Sequence, residues 1–184
     1  YYLIEENEDQ LSYWGSYIFN LQALRNNLIF QSPHSVFDYQ TGRQSIYVFE
    51  RLGARALFIS GTHRCNHTSY SDCDGTTTVC DGSSSPFRIS DNAHNAQTVF
   101  QKSTELLFHR IDSSVFIQLH GFGKNESDPY IIISNGTRIT PNLDYISTIM
   151  EELKTIDPSL TFKAAHIDTE WDRLLGFTNT QGRF

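Results

Sequence analysis

Asn27-Leu28-Ile29-Phe30-Gln31-Ser32-Pro33-His34-Ser35-Val36-Phe37-Asp38 is the stretch from which the fold is read. Leu28 to Phe30 is a short apolar run of the kind that fills a buried strand. Pro33 stops it, because proline has no amide to give to a sheet. His34 and Asp38 follow at once, on the loop. A second apolar, β-prone run, Val115 to Leu119, ends the same way in His120-Gly121. Two strands that each release a histidine, one with a carboxylate beside it, suggest a site at the carboxyl ends of a sheet, where open α/β proteins bind their ligands.

Working outward, Tyr13 to Leu21 alternates aromatic and apolar residues and reads as a strand. Ala23 to Asn26 reads as the turn of a hairpin into the Leu28 strand. Ile46, Phe49 and Leu52 recur at helical spacing over residues 42–52, with Gly53 as the stop. Ala56 to Ile59 is the next buried strand and ends in the polar cluster Ser60-Gly61-Thr62-His63-Arg64-Cys65-Asn66. A helix is expected from a cap at Ser90 or Asp91 to about His109, with Ala96, Val99, Phe100, Leu106 and Leu107 facing the core. Ser114 to Leu119, Tyr130 to Ile133 and Leu160 to Ala165 read as strands. A helix opened by Thr140-Pro141 separates the last two. Tyr1 to Ser12 shows no clear period, and Glu170 to Phe184 reads as loop. A hairpin followed by helix and strand in alternation predicts a mixed, mostly parallel α/β sheet with helices on both faces. The 184 residues suit a single α/β domain, 1–184, interrupted by a long polar loop at about 66–90.

The net charge of −7 and the lack of a basic run argue against nucleic acid as a partner. No stretch reaches the roughly 20 apolar residues of a membrane span. Asn66-His67-Thr68, Asn125-Glu126-Ser127 and Asn135-Gly136-Thr137 fit the N-glycosylation pattern in loop-like sequence. Cys73 and Cys80 flank a Gly/Ser/Thr/Asp-rich loop with little else to hold it, so a disulfide between them is expected, leaving Cys65 over. Sequons and disulfide together suggest a secreted glycoprotein whose signal peptide has been removed. The plain alternative is a cytosolic chain with three reduced thiols.

Two imidazoles and one carboxylate, with a fourth position open to water, form a common ligand set of hydrolytic zinc. His34, Asp38 and His120 are that set here. The plain alternative is a hydrogen-bonded His–Asp pair on a loop. His67, His109 and His166 are read as structural, and His63 as either an orienting partner of a ligand or a loop hydrogen bonder. Arg64 and Arg183 follow strand-end or loop clusters, and an arginine fork there suits a substrate carboxylate; the plain alternative for each is a surface ion pair. His94, expected to open a helix, suits contact with an anion or a reaction intermediate; the plain alternative is a first-turn residue of that helix. No G-x-S-x-G elbow points to a serine hydrolase.

Pro33-His34-Ser35-Val36-Phe37-Asp38, Gly61-Thr62-His63-Arg64-Cys65-Asn66, Ala93-His94-Asn95, Leu119-His120-Gly121-Phe122 and Thr178-Asn179-Thr180-Gln181-Gly182-Arg183 occur in an order that resembles the zinc carboxypeptidase, N-formylglutamate amidohydrolase and phage poly-γ-glutamate hydrolase group. The resemblance implies a zinc-exopeptidase-like α/β fold and one Zn2+ held by His34, Asp38 and His120. It implies a peptide-like or amino-acid-like substrate met by Arg64, Arg183, Asn179 and His94, and hydrolysis of an amide bond. Asp38 stands where that group usually has glutamate. Its general-base glutamate lies on a late strand, expected here beyond Phe184 or on a second chain completing the sheet, with Glu170 as a weak candidate. The rival reading is a glycosylated extracellular binding protein that keeps the fold without catalysis.

Overall fold

The computed structural model describes residues 1–9 and 12–184. Gln10 and Leu11, in the acidic stretch read as aperiodic, lie outside the described residues. Although the sequence reads as one domain, the chain gathers into two compact units, residues 1–122 with Phe184 and residues 123–183.

The first unit is a mixed five-stranded sheet carrying α1 (Thr41–Leu52) and α2 (Val99–Arg110). Its strands are β1 (Tyr2–Ile4), β2 (Ser16–Phe19), β3 (Arg25–Ser32), β4 (Ala54–Ile59) and β7 (Val115–Gln118), in the order β1-β2-β4-β3-β7. β3, β4 and β7 run parallel, while β1 and β2 are antiparallel to their neighbours. Side chains alternate across β3 and β4, so each strand feeds two cores. Ile29, Ala56 and Phe58 pack with Tyr17 and with Phe100 of α2 on one face. Phe30, Ala54 and Leu57 pack with Phe49 of α1 on the other. The expectation of helices on both faces is met in this sheet.

The expected hairpin between the second and third strands does not form. β4 is inserted between β2 and β3, pairing with both. Residues 20–24 therefore step across two strand spacings, roughly 10 Å. They do so over the α1–β4 turn, where Asn20 N–H donates to Arg55 O (2.9 Å) and Arg25 N–H to Gly53 O (3.0 Å). A five-residue connection is short enough to suggest a hairpin, and only the burial of β4 on both faces argues for the insertion. β1 is a strand where no periodicity announced one, because its three side chains, Tyr2, Leu3 and Ile4, are all exposed.

Residues 66–90 form an excursion rather than a structureless loop. β5 (Thr76–Thr77) pairs with β6 (Ser85–Pro86), and Tyr70 bridges Arg88. The disulfide joins Cys65 to Cys80, not Cys73 to Cys80, with Cα atoms 5.4 Å apart. The physical reason is where the excursion is tied. Ser90 Oγ donates to Arg64 O and accepts from His67 N–H, which gathers both ends at Cys65. Cys73 instead lies beside Ser71, whose Oγ accepts its N–H. Nearest spacing was the wrong guide, since connectivity is not readable from spacing alone.

α2 begins at Val99, not near Ser90. Thr98 Oγ1 accepts from Gln101 N–H (3.1 Å) as its cap, and Asp91 is engaged elsewhere.

The second unit pairs β8 (Ile131–Ile133) in parallel with β9 (Phe162–Ala164), with α3 (Tyr145–Ile156) between them in the chain. β8 and β9 form their own two-stranded sheet. α3 starts later than Thr140-Pro141 suggests, because the Asp144 carboxylate caps it by accepting from Ser147 N–H (3.1 Å) and Ser147 Oγ. No helix of the described residues is long and apolar enough to cross a membrane.

Candidate metal centre

β3 and β7 are parallel neighbours with Gln31 opposite Gln118. His34 lies two residues past the end of β3 and His120 two past the end of β7. The register therefore delivers the two imidazoles side by side, with ring centroids 5.0 Å apart. After Pro33 the chain turns tightly: His34 O accepts from Phe37 N–H (2.8 Å) and Asp38 N–H (2.7 Å). That turn brings the Asp38 carboxylate back over His34. Gly121 N–H donates to Asp38 Oδ2 at 2.9 Å. A Cβ on Gly121 would lie 3.2 Å from that of Asp38, so a side chain there crowds the contact.

The two histidines present the same nitrogen to one oxygen. His34 Nδ1 is 3.5 Å and His120 Nδ1 3.6 Å from Asp38 Oδ2. A tetrahedral ion with bonds of about 2.1 Å places its ligand atoms about 3.4 Å apart, so these separations suit three ligands of one ion. They are long for hydrogen bonds. His34 Nδ1 is buried and has no hydrogen-bond partner among the described residues. Such an orphaned buried polar atom needs an explanation, and the lone pair of a metal ligand is one. The other ring nitrogens are occupied. His34 Nε2 meets Asp91 Oδ1 at 2.8 Å, which assigns the proton to Nε2 and leaves the Nδ1 lone pair facing Asp38. His120 Nε2 meets Gln118 Oε1 at 3.3 Å, which favours the same tautomer. Gln118 in turn donates to Gln31 Oε1 (2.8 Å), and buried Gln31 donates to Thr104 Oγ1 of α2 (2.7 Å). The chain of amides joins β7 to β3 and α2.

A second group, His34, Asp91 and His94, also brings three ligand atoms together. Its distances are those of hydrogen bonds rather than of ligands around an ion. Asp91 Oδ1 accepts from Ala93 N–H (3.1 Å) and meets His34 Nε2 (2.8 Å) and His94 Nδ1 (3.0 Å). Asp91 Oδ2 accepts from Arg64 Nη2 at 2.6 Å. The guanidinium already neutralises Asp91, and a cation there would meet an arginine. Among the described residues no arginine or lysine bonds Asp38: the groups against it are the imidazoles of His34 and His120 and the Gly121 amide.

The ionisations follow. Burial raises the Asp38 carboxyl, but His120, His34 and the Gly121 amide more than offset it and hold it well below the usual range. Asp91 is likewise raised by burial and lowered further by His34 and His94. Burial opposes charge on His34, yet Asp38 and Asp91 win and raise its pKa. Enclosure, His34 and Arg64 lower His120, against the pull of Asp38. Two carboxylates thus stay ionised on either side of the His34 ring.

His34, Asp38 and His120, grouped from strand ends alone, do come together. Arg64 lies in the same cluster with its guanidinium spent on Asp91, and it stacks on Phe37 at 5.7 Å. His94 does not open α2; it bonds Asp91 and stacks on Phe87, centroids 3.6 Å apart. His63 Nδ1 accepts from Cys65 N–H, and its ring meets Phe37 edge-on, which makes it a loop residue. Arg183 and Asn179 belong to the second unit, where Arg183 Nε donates to Phe177 O and Asn179 Oδ1 accepts from Gln181 N–H. Glu170 is an exposed turn residue of that unit. Asp91, Gln31 and Gln118 were missed as site residues. Ser90-Asp91-Asn92-Ala93-His94 reads equally well as a helix cap, and strand glutamines give no signal until the register is known.

Searches against protein-family models, curated proteins and solved structures find no match for this chain.

Proposed function

We propose that this chain is a zinc-dependent hydrolase of an amide bond, of the peptide, γ-glutamyl or acyl-amino-acid type, built on a zinc-exopeptidase-like α/β fold in an extracellular glycoprotein. The observation that carries the reading is His34 Nδ1, buried without a partner at a tetrahedral edge's distance from Asp38 Oδ2, with His120 Nδ1 on the same oxygen. Zinc, when bound, supplies Lewis acidity to a carbonyl and lowers the pKa of a bound water. Asp91 and Gln118 hold the two imidazoles in the tautomer that offers Nδ1. Arg64 Nη2 donates to Asp91 Oδ2 and holds that carboxylate in place. The 39 % exposure of the His120 side chain leaves an approach to the cluster from solvent.

The disulfide and the three sequons support the extracellular assignment. A second reading, a metal-holding binding protein without catalysis, draws on one observation: among the described residues, neither metal-competent group contains a glutamate.

Metal content by elemental analysis of the protein purified without chelator, wild type beside His120→Ala, is the test. About one zinc per chain, lost in the variant, supports the centre. A zinc-free wild type overturns it. Hydrolysis of N-acyl amino acids by the zinc-loaded protein then separates the enzyme from the binding protein.

A further inference from the structure

Ile29 and Gln31 lie two apart on β3 and so share the face that α2 covers. Gln31 is wholly buried there, a polar side chain in an apolar layer. Its Nε2 donates to Thr104 Oγ1 of α2 (2.7 Å), and its Oε1 accepts from Gln118 Nε2 of β7 (2.8 Å). Thr104, 2 % exposed, donates its hydroxyl proton to Phe100 O one turn back in α2 (2.9 Å). Gln118 Oε1 meets His120 Nε2 at 3.3 Å. An unbroken chain of hydrogen bonds therefore runs from a helix carbonyl, across two strands, to an imidazole of the metal cluster.

A hydroxyl has one proton to give. Thr104 gives it to Phe100 O, so towards Gln31 it can only accept, and the end of Gln31 that meets it is the NH2. Gln31 thereby turns its oxygen to Gln118, and Gln118 turns its oxygen to His120. An oxygen facing a neutral imidazole calls for an N–H, so the proton sits on Nε2 and the lone pair on Nδ1. With the same heavy atoms in place, a Thr104 hydroxyl aimed at Gln31 would reverse every link and leave His120 protonated on Nδ1. Asp38 Oδ2, 3.6 Å from that nitrogen, pulls the proton in this second direction. We propose that Thr104 and Gln31 are positioning residues for His120: the direction of their hydrogen bonds, anchored in the backbone of α2, keeps the ring proton on Nε2 and offers Nδ1 to the cluster. The inference deepens the zinc reading and rests on it for its use, since a ligand nitrogen must carry the lone pair. The tautomer itself is a property of the metal-free chain.

NMR of the chelator-treated protein, with the histidine ring nitrogens labelled, reads that tautomer at a pH above the imidazole range. The His120 ring is assigned by its absence from His120→Ala. Wild type is expected to carry the proton on Nε2. Thr104→Val keeps the shape and removes the hydroxyl. It is expected to move the ratio of the two tautomers about two- to tenfold towards Nδ1–H, the worth of one hydrogen bond. Thr104→Ser restores the hydroxyl and is expected to return the wild-type ratio. Gln31→Met cuts the chain one link nearer the ring and is expected to shift the ratio the same way, so the test stands even if Thr104→Val does not fold. A wild-type proton on Nδ1, a ratio unmoved in the variants whatever their stability, or a Thr104→Ser ratio that follows the valine variant overturns the proposal. The measurement needs no zinc. A protein that binds none and still shows this dependence loses the hydrolase centre and keeps the positioning chain. One that binds zinc with the ratio unmoved keeps the centre and loses the chain.

Discussion

Asp91→Asn is the most informative change at the cluster. The carboxylate is 1 % exposed and has four neighbours: Arg64 Nη2 at 2.6 Å, His34 Nε2 at 2.8 Å, His94 Nδ1 at 3.0 Å and Ala93 N–H at 3.1 Å. Asparagine keeps the shape but loses the charge and turns one oxygen into a donor. Arg64, 11 % exposed at its side chain, is left as a buried cation without a counter-ion. Breaking a buried pair from one side costs about 3–5 kcal/mol. His34 is also left with a neutral amide, at best, in place of the carboxylate that fixes its tautomer, and a weakened orienting partner typically lowers metal affinity, by up to about ten- to a hundredfold. Two readouts separate these effects: urea unfolding of the metal-free protein, and zinc affinity by competition with a chromophoric chelator. In Asp91→Asn/Arg64→Met the stranded cation is gone, so most of the stability returns. Zinc affinity returns only in part, because an amide oxygen is a weaker acceptor for His34 Nε2 than a carboxylate. If Asp91→Asn binds zinc like wild type, Asp91 does not orient His34 and the assignment of Nδ1 as the ligand atom fails. If the double variant recovers both properties, the effect belonged to Arg64 and not to the histidine.

Other consequences are simpler to check. Thr98→Ala removes the hydrogen bond to Gln101 N–H and should cost about 1 kcal/mol in unfolding free energy, whereas a helix starting at Ser90 would barely register the change. The Asp144 carboxyl, held down to about 2 by the Ser147 hydroxyl and amide and by His166, contributes stability that is present above its ordinary value near 3.8. It is lost as pH falls through that window, so an acid titration of wild type and Asp144→Asn should converge at the low end; parallel curves would refute the cap. Cys65→Ser opens a disulfide with a sequence separation of 15. It should cost about 3 kcal/mol on the chain-entropy account, and Cys73→Ser should leave the bridge intact by peptide mapping. A bridge lost with Cys73 would reinstate the pairing expected from spacing.

The sequence by itself determined the parts whose physics is local. Leu28 to Phe30, Ala56 to Ile59 and Val115 to Leu119 are apolar runs bounded by breakers, and they are β3, β4 and β7. The periodicity of Ile46, Phe49 and Leu52, closed by Gly53, is α1, whose C-cap Gly53 takes the left-handed backbone that a glycine allows. Strand ends delivering histidines followed from those strands, so His34, Asp38 and His120 were legible as a group. What depends on which surfaces meet was not legible. Strand order is set by burial on both faces, which places β4 between β2 and β3 and removes the hairpin. Helix starts were misread where a capping side chain competes with another partner: Asp91 is drawn to His34, His94 and Arg64, and Thr98 becomes the cap. Disulfide partners are fixed by where the ends of the 66–90 excursion are tied, not by their separation along the chain. The atoms of the site belong to the same category. Which nitrogen of His34 faces Asp38 depends on Asp91, 57 residues away in sequence, and only the folded chain brings that carboxylate to the ring.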